Sequence, residues 1–146
     1  MRFVDSNVFL HAFLRPRREL TPRERDTKER AKEIIERIEA GEMVATSTVH
    51  LSEVINIVES GLGLQESLGL LAWAVSRSNI KVHSTSLGDY EAALPIAKER
   101  GVSANDALAY TLMRRHGIDE VYSFDKHFNQ LTEVTRLPPN KTKQHA

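Results

Sequence analysis

Short apolar segments alternate with helical patterns along the chain, and this alternation restricts the fold more than any other feature of the sequence. The predicted strands are residues 2–4, 43–45, 80–82, 120–122 and, as a weaker candidate, 134–137. A stretch with helical periodicity separates each pair. Strands that alternate with helices form α/β folds, in which a mainly parallel sheet carries helices on both faces. Because crossovers between parallel strands are right-handed, we expect a doubly wound sandwich.

Capping residues mark where the predicted helices begin and end. Thr21 and Glu24 form a capping-box pattern around Pro22, which occupies the first helical position. Gly41 is well placed to end that helix. Residues 64–76 are nearly all apolar, which predicts a buried helix. Two further helices are predicted to begin at Ser86 and Ser103 and to end near Gly101 and Gly117.

Length and charge bound the kind of protein. A chain of 146 residues with 40% hydrophobic content can bury one full core. We expect one domain over residues 1–137, followed by a mobile polar tail over residues 138–146. Lys+Arg and Asp+Glu are balanced at 20 each. The strongly basic balance of many nucleic-acid binders is therefore absent, although a local basic patch is compatible with neutrality.

The absence of certain residues excludes several kinds of site. The sequence has no cysteine, which rules out disulfides, thiolate zinc sites and a cysteine nucleophile. It shows no apolar leader and no run near the ~20 apolar residues that span a bilayer. We therefore expect a cytoplasmic protein that does not associate with membranes.

Four acidic residues fall where a doubly wound sheet binds ligands. Asp5 directly follows the first strand, and Asp125 closely follows the fourth. If the strand order is 3-2-1-4-5, these strands are neighbours and both acids face the crevice where the order reverses. Glu53 lies about two turns into the helix after the second strand, and Asp106 lies in the first turn of the helix opened by Ser103. Both could lean over the same crevice, but spacing does not fix a helix's orientation.

Each of these acids also has an ordinary structural explanation. Asp5 could form a turn, and Asp125 could be a loop residue. Glu53 could lie on a solvated helix face. Asp106 stands three residues after Ser103 and could serve only to start its helix. Taken singly, none of the four establishes a site.

Their sequence context resembles the PIN-domain family, especially its VapC-like toxins. The matching segments, in order, are DSNVF at 5–9, the glutamate Glu53, NDALA at 105–109 and SFDKHF at 123–128. The resemblance spans roughly residues 1–137, and none of the four acids is substituted. It implies a 3-2-1-4-5 sheet and a metal-dependent endoribonuclease that hydrolyses RNA phosphodiester bonds. It further implies a homodimer and a small DNA-binding antitoxin that blocks the site, as in VapBC-type pairs.

The resemblance also assigns roles to individual residues. Asp5, Asp106 and Asp125 are expected to coordinate the metal. Glu53 completes the site by holding a metal-bound or attacking water, and Ser123 is expected to position Asp125 or such a water. Carboxylates without histidine or cysteine at ligand spacing make an oxygen-only site, which suits Mg²⁺, with Mn²⁺ as a substitute.

Other functions remain open at this point. The same fold could serve a non-catalytic RNA- or protein-binding module, or a housekeeping RNA-processing nuclease. Intact acids argue against the former, because an abandoned site has no reason to keep mutually repelling charges. A metal-dependent phosphatase or receiver-like domain also places an aspartate after the first strand. The phosphatase pattern, however, has a second aspartate two residues later, where this chain has Asn7.

Residues around the acids are expected to have supporting roles. Ser6 and Asn7 are predicted to cap the helix after the first strand rather than to contact substrate, and His50 and His127 are predicted to be structural. Basic runs at residues 15–18 and 114–116 could bind RNA phosphates, or could simply be solvated faces.

Overall fold

Each predicted apolar segment forms a strand in the computed structural model, which describes residues 1–139. The strands are β1 (Arg2–Val4), β2 (Val44–Ser47), β3 (Ile80–His83), β4 (Glu120–Tyr122) and β5 (Thr135–Leu137). They form a five-stranded sheet in the order β3-β2-β1-β4-β5. Every neighbouring pair is parallel, so the predicted order is confirmed and the sheet is parallel throughout.

Helices follow the strands and begin largely where capping residues predicted. They are α1 (Ser6–Phe13), α2 (Pro22–Glu39), α3 (Thr48–Leu62), α4 (Leu64–Ser76), α5 (Leu87–Arg100) and α6 (Ala104–Arg115), with a 3-10 helix at Lys126–Gln130. The Thr21 capping box is formed, with the Glu24 amide donating to the Thr21 hydroxyl at 3.1 Å. Ser86 and Ser103 cap α5 and α6 as expected.

Both faces of the sheet are buried. Phe3 and Val121 point to one face, where α5 and α6 pack, and Val4 and Tyr122 point to the other, beneath α1 to α4. Successive strand residues thus serve two separate cores. This accounts for strands that are apolar without alternation, and it confirms the predicted sandwich with helices on both faces.

The prediction that residues 64–76 form a buried helix is only half right. The helix forms, but its buried residues are only Ser67, Leu70 and Ala74, while Trp73 is partly buried against the core. Leu64 and Leu68 are 59% and 51% exposed. A nearly all-apolar helix carries no periodic signal of which side is covered, and α4 packs mainly against α3.

The end of the chain is described only in part. Residues 140–146 of the predicted tail lie outside the described residues, while the Pro139 carbonyl accepts a 3.0 Å hydrogen bond from Arg30. Within residues 1–139, no helix combines the length and apolar character needed to cross a membrane.

Candidate active site

Asp5 lies at the point where the strand order reverses. The Asp5 amide donates to the carbonyl of Tyr122 at 3.0 Å, which extends the pairing of β1 with β4 by one residue. Its carboxylate then accepts from the Ser6 amide at 2.8 Å and caps α1. Asp5 is therefore both a helix cap and a group in the crevice beyond the carboxyl ends of β1 and β4, where sheets of this kind bind ligands.

The expectation that Ser6 and Asn7 cap this helix is wrong. Helix α1 begins one residue earlier than expected, so the capping position belongs to Asp5 and the next two side chains are available for longer-range contacts. Ser6 Oγ donates to Glu53 Oε2 at 3.0 Å. The Asn7 Oδ1 accepts from the Phe124 amide at 3.1 Å. These residues tie the start of α1 to the segments that carry the other acids.

Glu53 is held over the crevice by two hydrogen bonds. Its Oε2 accepts from Ser6 Oγ at 3.0 Å and from Asn105 Nδ2 at 2.9 Å. The residue is half-buried on the face of α3 that meets α1 and the start of α6. Its carboxylate is therefore not an ordinary solvated surface group, and the orientation that spacing left open is resolved.

Asp106 has a carboxylate that the helix cap does not use. Ser103 caps α6 by accepting a 3.1 Å hydrogen bond from the backbone amide of Asp106. Asp106 is only 4% exposed, and among the described residues its Oδ2 atom is buried with no hydrogen-bond partner. Burial, reinforced by a hydrogen bond with Asp125 and the charge of Asp5, raises the pKa of Asp106 to about 8. Burial of this kind destabilises the ionised carboxylate of Asp106. A bound cation would offset the charge, and a bound proton would remove it.

Ser123 connects two of the acids. It is fully buried, and its Oγ donates to Asp5 Oδ2 at 2.7 Å while accepting from the Asp125 amide at 3.0 Å. The expected link to Asp125 is present, whereas the bond to Asp5 could not be read from the sequence. Asp125 in turn caps the 3-10 helix, because its Oδ1 accepts from the His127 amide at 2.9 Å.

His50 is a buried structural residue that connects two of the segments around the site. Its Nε2 faces the Asn105 carbonyl at 3.1 Å, and a carbonyl can only accept, so Nε2 carries the proton. Nδ1 then accepts from Ser47 Oγ at 2.6 Å. Burial lowers the pKa of His50 to about 4, which keeps the ring neutral. This pair of bonds fixes the start of α6 relative to α3.

The four acids share one cavity of about 390 Å³. Burial raises the pKa of Asp5 to about 6, although hydrogen bonds from Ser123 and Ser6 oppose the shift. Two carboxylates about 5 Å apart repel by roughly 3 kcal/mol at an effective dielectric near 20. A divalent cation would relieve this repulsion, and carboxylate oxygens are the donors that Mg²⁺ and Mn²⁺ prefer. The partnerless Asp106 Oδ2 fits such an ion.

The two basic runs lie elsewhere. Arg18 forms an ion pair of 2.6 Å with Glu24. Arg115 pairs with Asp89 near the C-terminal end of α6, roughly 13 Å along the helix axis from Asp106. Neither run lines the acidic cavity, so the geometry does not support a role for them in binding RNA phosphates at that cavity.

The parallel sheet and the acids at its reversal point define a three-layer α/β domain with an acidic crevice. The sequence profile of the PIN domain matches residues 2–134, and the chain belongs to the PIN-domain family. No significant match to a curated protein was found.

Solved structures share this fold at low sequence identity. Mycobacterium tuberculosis VapC20, described as a sarcin-ricin loop cleaving toxin, aligns with a TM-score of 0.69 at 21% identity, over 90% of this chain and 95% of that one. VapBC2 from Rickettsia felis, bound to a DNA fragment from its promoter, aligns with a TM-score of 0.62 at 12% identity, over 92% and 96%. FitAcB from Neisseria gonorrhoeae aligns with a TM-score of 0.59 at 19% identity, over 93% of this chain and 96% of that one.

Proposed function

We propose that this protein is a Mg²⁺- or Mn²⁺-dependent endoribonuclease that hydrolyses RNA phosphodiester bonds in the cytoplasm, as the toxin of a VapBC-type pair. The observation that carries the proposal is the buried Asp106 Oδ2, which has no hydrogen-bond partner among the described residues and belongs to a cavity that Asp5, Glu53 and Asp125 also line. Family membership and toxin relatives of the same fold support it.

The contacts of each acid support the following roles. Asp5, Asp106 and Asp125 would hold the metal, and Glu53, oriented by Ser6 and Asn105, would hold a water beside it. A bound divalent ion would polarise the scissile phosphate and make a water a better nucleophile. Ser123, through its bonds to Asp5 and Asp125, keeps the two strand ends in register.

Burial of the acids argues against a purely binding module. The raised pKa values of Asp5 and Asp106 mean that ionisation of these buried carboxyl groups lowers the stability of the metal-free fold. A surface that only bound RNA or protein would gain nothing from that cost. A housekeeping nuclease would use the same chemistry, but the solved relatives include toxin–antitoxin complexes, which favours the toxin.

The antitoxin would bind a groove of about 680 Å³ between α1, α2, α3 and α4. Phe13, Val58 and Trp73 supply its apolar wall, and Arg15 and Lys32 lie on its rim. An amphipathic segment with acidic flanks complements this surface, because its apolar side is buried while its charges meet the basic rim.

A homodimer is the third part of the proposal. Leu64, Leu68 and Val75 are exposed on one face of α4, opposite the face that borders the groove. An apolar stripe of this kind can pair with its own copy across a twofold axis, since such interfaces are self-complementary. The same helix can therefore contact antitoxin and partner subunit at once.

The test is cleavage of single-stranded RNA by the purified protein. Cleavage should require Mg²⁺ or Mn²⁺, stop with EDTA, and leave 5′-phosphate and 3′-hydroxyl ends, because water is the nucleophile. Asp5→Asn should abolish it. A 2′,3′-cyclic phosphate product would mean that the RNA's own 2′-hydroxyl attacks, and the mechanism would be wrong.

A further inference from the structure

His127 lies beside two carboxylates of the acidic cavity. Its Nδ1 is 3.1 Å from Asp125 Oδ1. A ring nitrogen of His127, an oxygen of Asp106 and an oxygen of Asp125 all lie within 4.8 Å of one another. Ligand atoms about 2.1 Å from a shared ion stand roughly 3–4 Å apart, so small side-chain rotations would bring these three groups to one ion.

We infer that His127 supplies an imidazole nitrogen to the metal centre, which makes it a mixed nitrogen–oxygen site rather than an all-carboxylate one. The inference rests on the metal-dependent function proposed above. It departs from the sequence-based expectation of an oxygen-only site with His127 as a structural residue.

A second observation points to a cation among these atoms. Asp106 is 4% exposed, and within residues 1–139 its Oδ2 has no hydrogen-bond partner. A buried carboxylate oxygen is normally satisfied by a donor or a metal. The same carboxylate belongs to the group that includes Asp125 and His127, so an ion there would satisfy the unpaired atom and engage the imidazole together.

The position of His127 is fixed by the element that carries it. Asp125 caps the 3-10 helix by accepting the backbone N–H of His127, which places this residue directly beside the Asp125 carboxylate. Phe128, the next residue, is fully buried and anchors the 3-10 helix in the core. The imidazole ring of His127 therefore needs only to rotate in order to reach an ion. The side chain is 66% exposed, so this rotation does not disturb packed neighbours.

A nitrogen donor changes which ion the site prefers. Mg²⁺ takes oxygen ligands and demands near-ideal octahedral geometry. Imidazole suits the first-row transition ions better, and Mn²⁺ is the member of that series that carboxylates also favour. The site should therefore select Mn²⁺ over Mg²⁺ more strongly than four carboxylates alone would.

Pulsed electron paramagnetic resonance on the Mn²⁺-loaded full-length protein tests this directly. The wild type should show modulation from a directly bound ¹⁴N nucleus, and His127→Gln should lose it. Mn²⁺ affinity should fall at least about tenfold in that variant, since even outer-shell losses cost metal sites roughly 10–100-fold. Mg²⁺ affinity, measured by competition, should change far less. His116→Gln, an exposed histidine at the far end of α6, is the matched control and should behave as wild type.

His127→Asp separates loss of nitrogen from loss of a ligand. This variant should lose the ¹⁴N signal yet keep Mg²⁺ binding, because a carboxylate oxygen replaces the ring nitrogen. Mn²⁺ binding by the wild type without ¹⁴N coupling would overturn the inference and leave the metal-dependent nuclease standing. So would a His127→Gln protein with a raised KM for RNA but unchanged metal binding. Failure of the wild type to bind either ion would overturn the proposed function itself.

Discussion

Ser123 Oγ donates a 2.7 Å hydrogen bond to Asp5 Oδ2 and so joins the ends of the two central neighbouring strands, β1 and β4. The same oxygen accepts the Asp125 amide at 3.0 Å. One buried hydroxyl therefore sets the positions of two acids that come from opposite ends of the sequence. Its importance can be measured separately from that of the acids.

Ser123→Ala should lower both stability and activity. It leaves a buried carboxylate oxygen without its donor, which costs about 1–3 kcal/mol of unfolding free energy. Cleavage should fall roughly 10–100-fold, as it does when groups that support metal ligands are lost. Denaturant unfolding and single-turnover cleavage check the two effects. Ser60→Ala, an exposed serine on α3, should change neither. A Ser123→Ala protein with the wild-type rate would contradict the positioning role.

Asp106→Asn distinguishes a metal ligand from a helix-start residue. Because asparagine never ionises, whereas ionisation of the Asp106 carboxyl near Asp5 and Asp125 is unfavourable, the metal-free Tm should hold or rise. Mg²⁺-dependent stabilisation should shrink, and cleavage should drop by orders of magnitude. Ser103→Ala is the control, since it removes the cap at a cost of about 0.5–2 kcal/mol but removes no carboxylate. A destabilised Asp106→Asn protein that still cleaves RNA near the wild-type rate would reject the assignment.

The metal-free protein should lose stability as pH rises from 6.5 to 8. The pKa of Asp106 is raised from 3.8 to about 8, so the folded state holds a proton that the unfolded chain releases. The bound proton stabilises the folded state fully when the pH is below the unfolded-state pKa of Asp106. This stabilisation is lost as the pH rises past the folded-state pKa. The lowered pKa of His50 acts oppositely, but only below its unfolded value of 6.5. Thermal unfolding in EDTA should show the decline, which Asp106→Asn should flatten. A Tm that climbs across this window would be inconsistent with the raised pKa.

Filling the groove should block the antitoxin without affecting cleavage. A Cβ added at Gly69 meets nothing within 4 Å, so Gly69→Leu projects into the groove without strain in α4. Lys32→Glu reverses one charge on the rim. Both variants should lose co-purification with a co-expressed antitoxin, while the isolated proteins cleave RNA as the wild type does. Lys98→Glu, an exposed lysine on α5, should keep the partner. Undiminished binding by both groove variants would place the antitoxin elsewhere.

The solution mass should be twice the 16.5 kDa monomer at micromolar concentration. Light scattering measures it. Leu68→Glu, which places a charge in the exposed stripe of α4, should give monomers because burying an unpaired charge opposes association. Leu94→Glu, an equally exposed position on α5, should remain dimeric. A monomeric wild type would remove the homodimer from the proposal.

The sequence predicted the site residues at the strand ends better than the contacts of the residues on the surrounding helices. The positions of Asp5 and Asp125 follow from the strand order alone, because the carboxyl ends of parallel strands lie along the same edge of the sheet. The contacts of Glu53 with Ser6 and Asn105 depend on how α3 and α6 are rotated, which no spacing rule encodes. The burial of α4 was misjudged for a related reason, since a helix that is nearly all apolar does not reveal which side is covered.

The central position of β1 has a consequence for synthesis of the chain. Asp5 is translated 118 residues before Ser123, its hydrogen-bond partner. At about 5–20 residues per second, roughly 6–24 s pass between the two. Strand β4 cannot pair with β1 before it leaves the ribosome, so the acidic crevice stays incomplete on any nascent chain that lacks it. The proposed ribonuclease therefore cannot cut the message from which it is being read before β4 has been translated and has paired with β1.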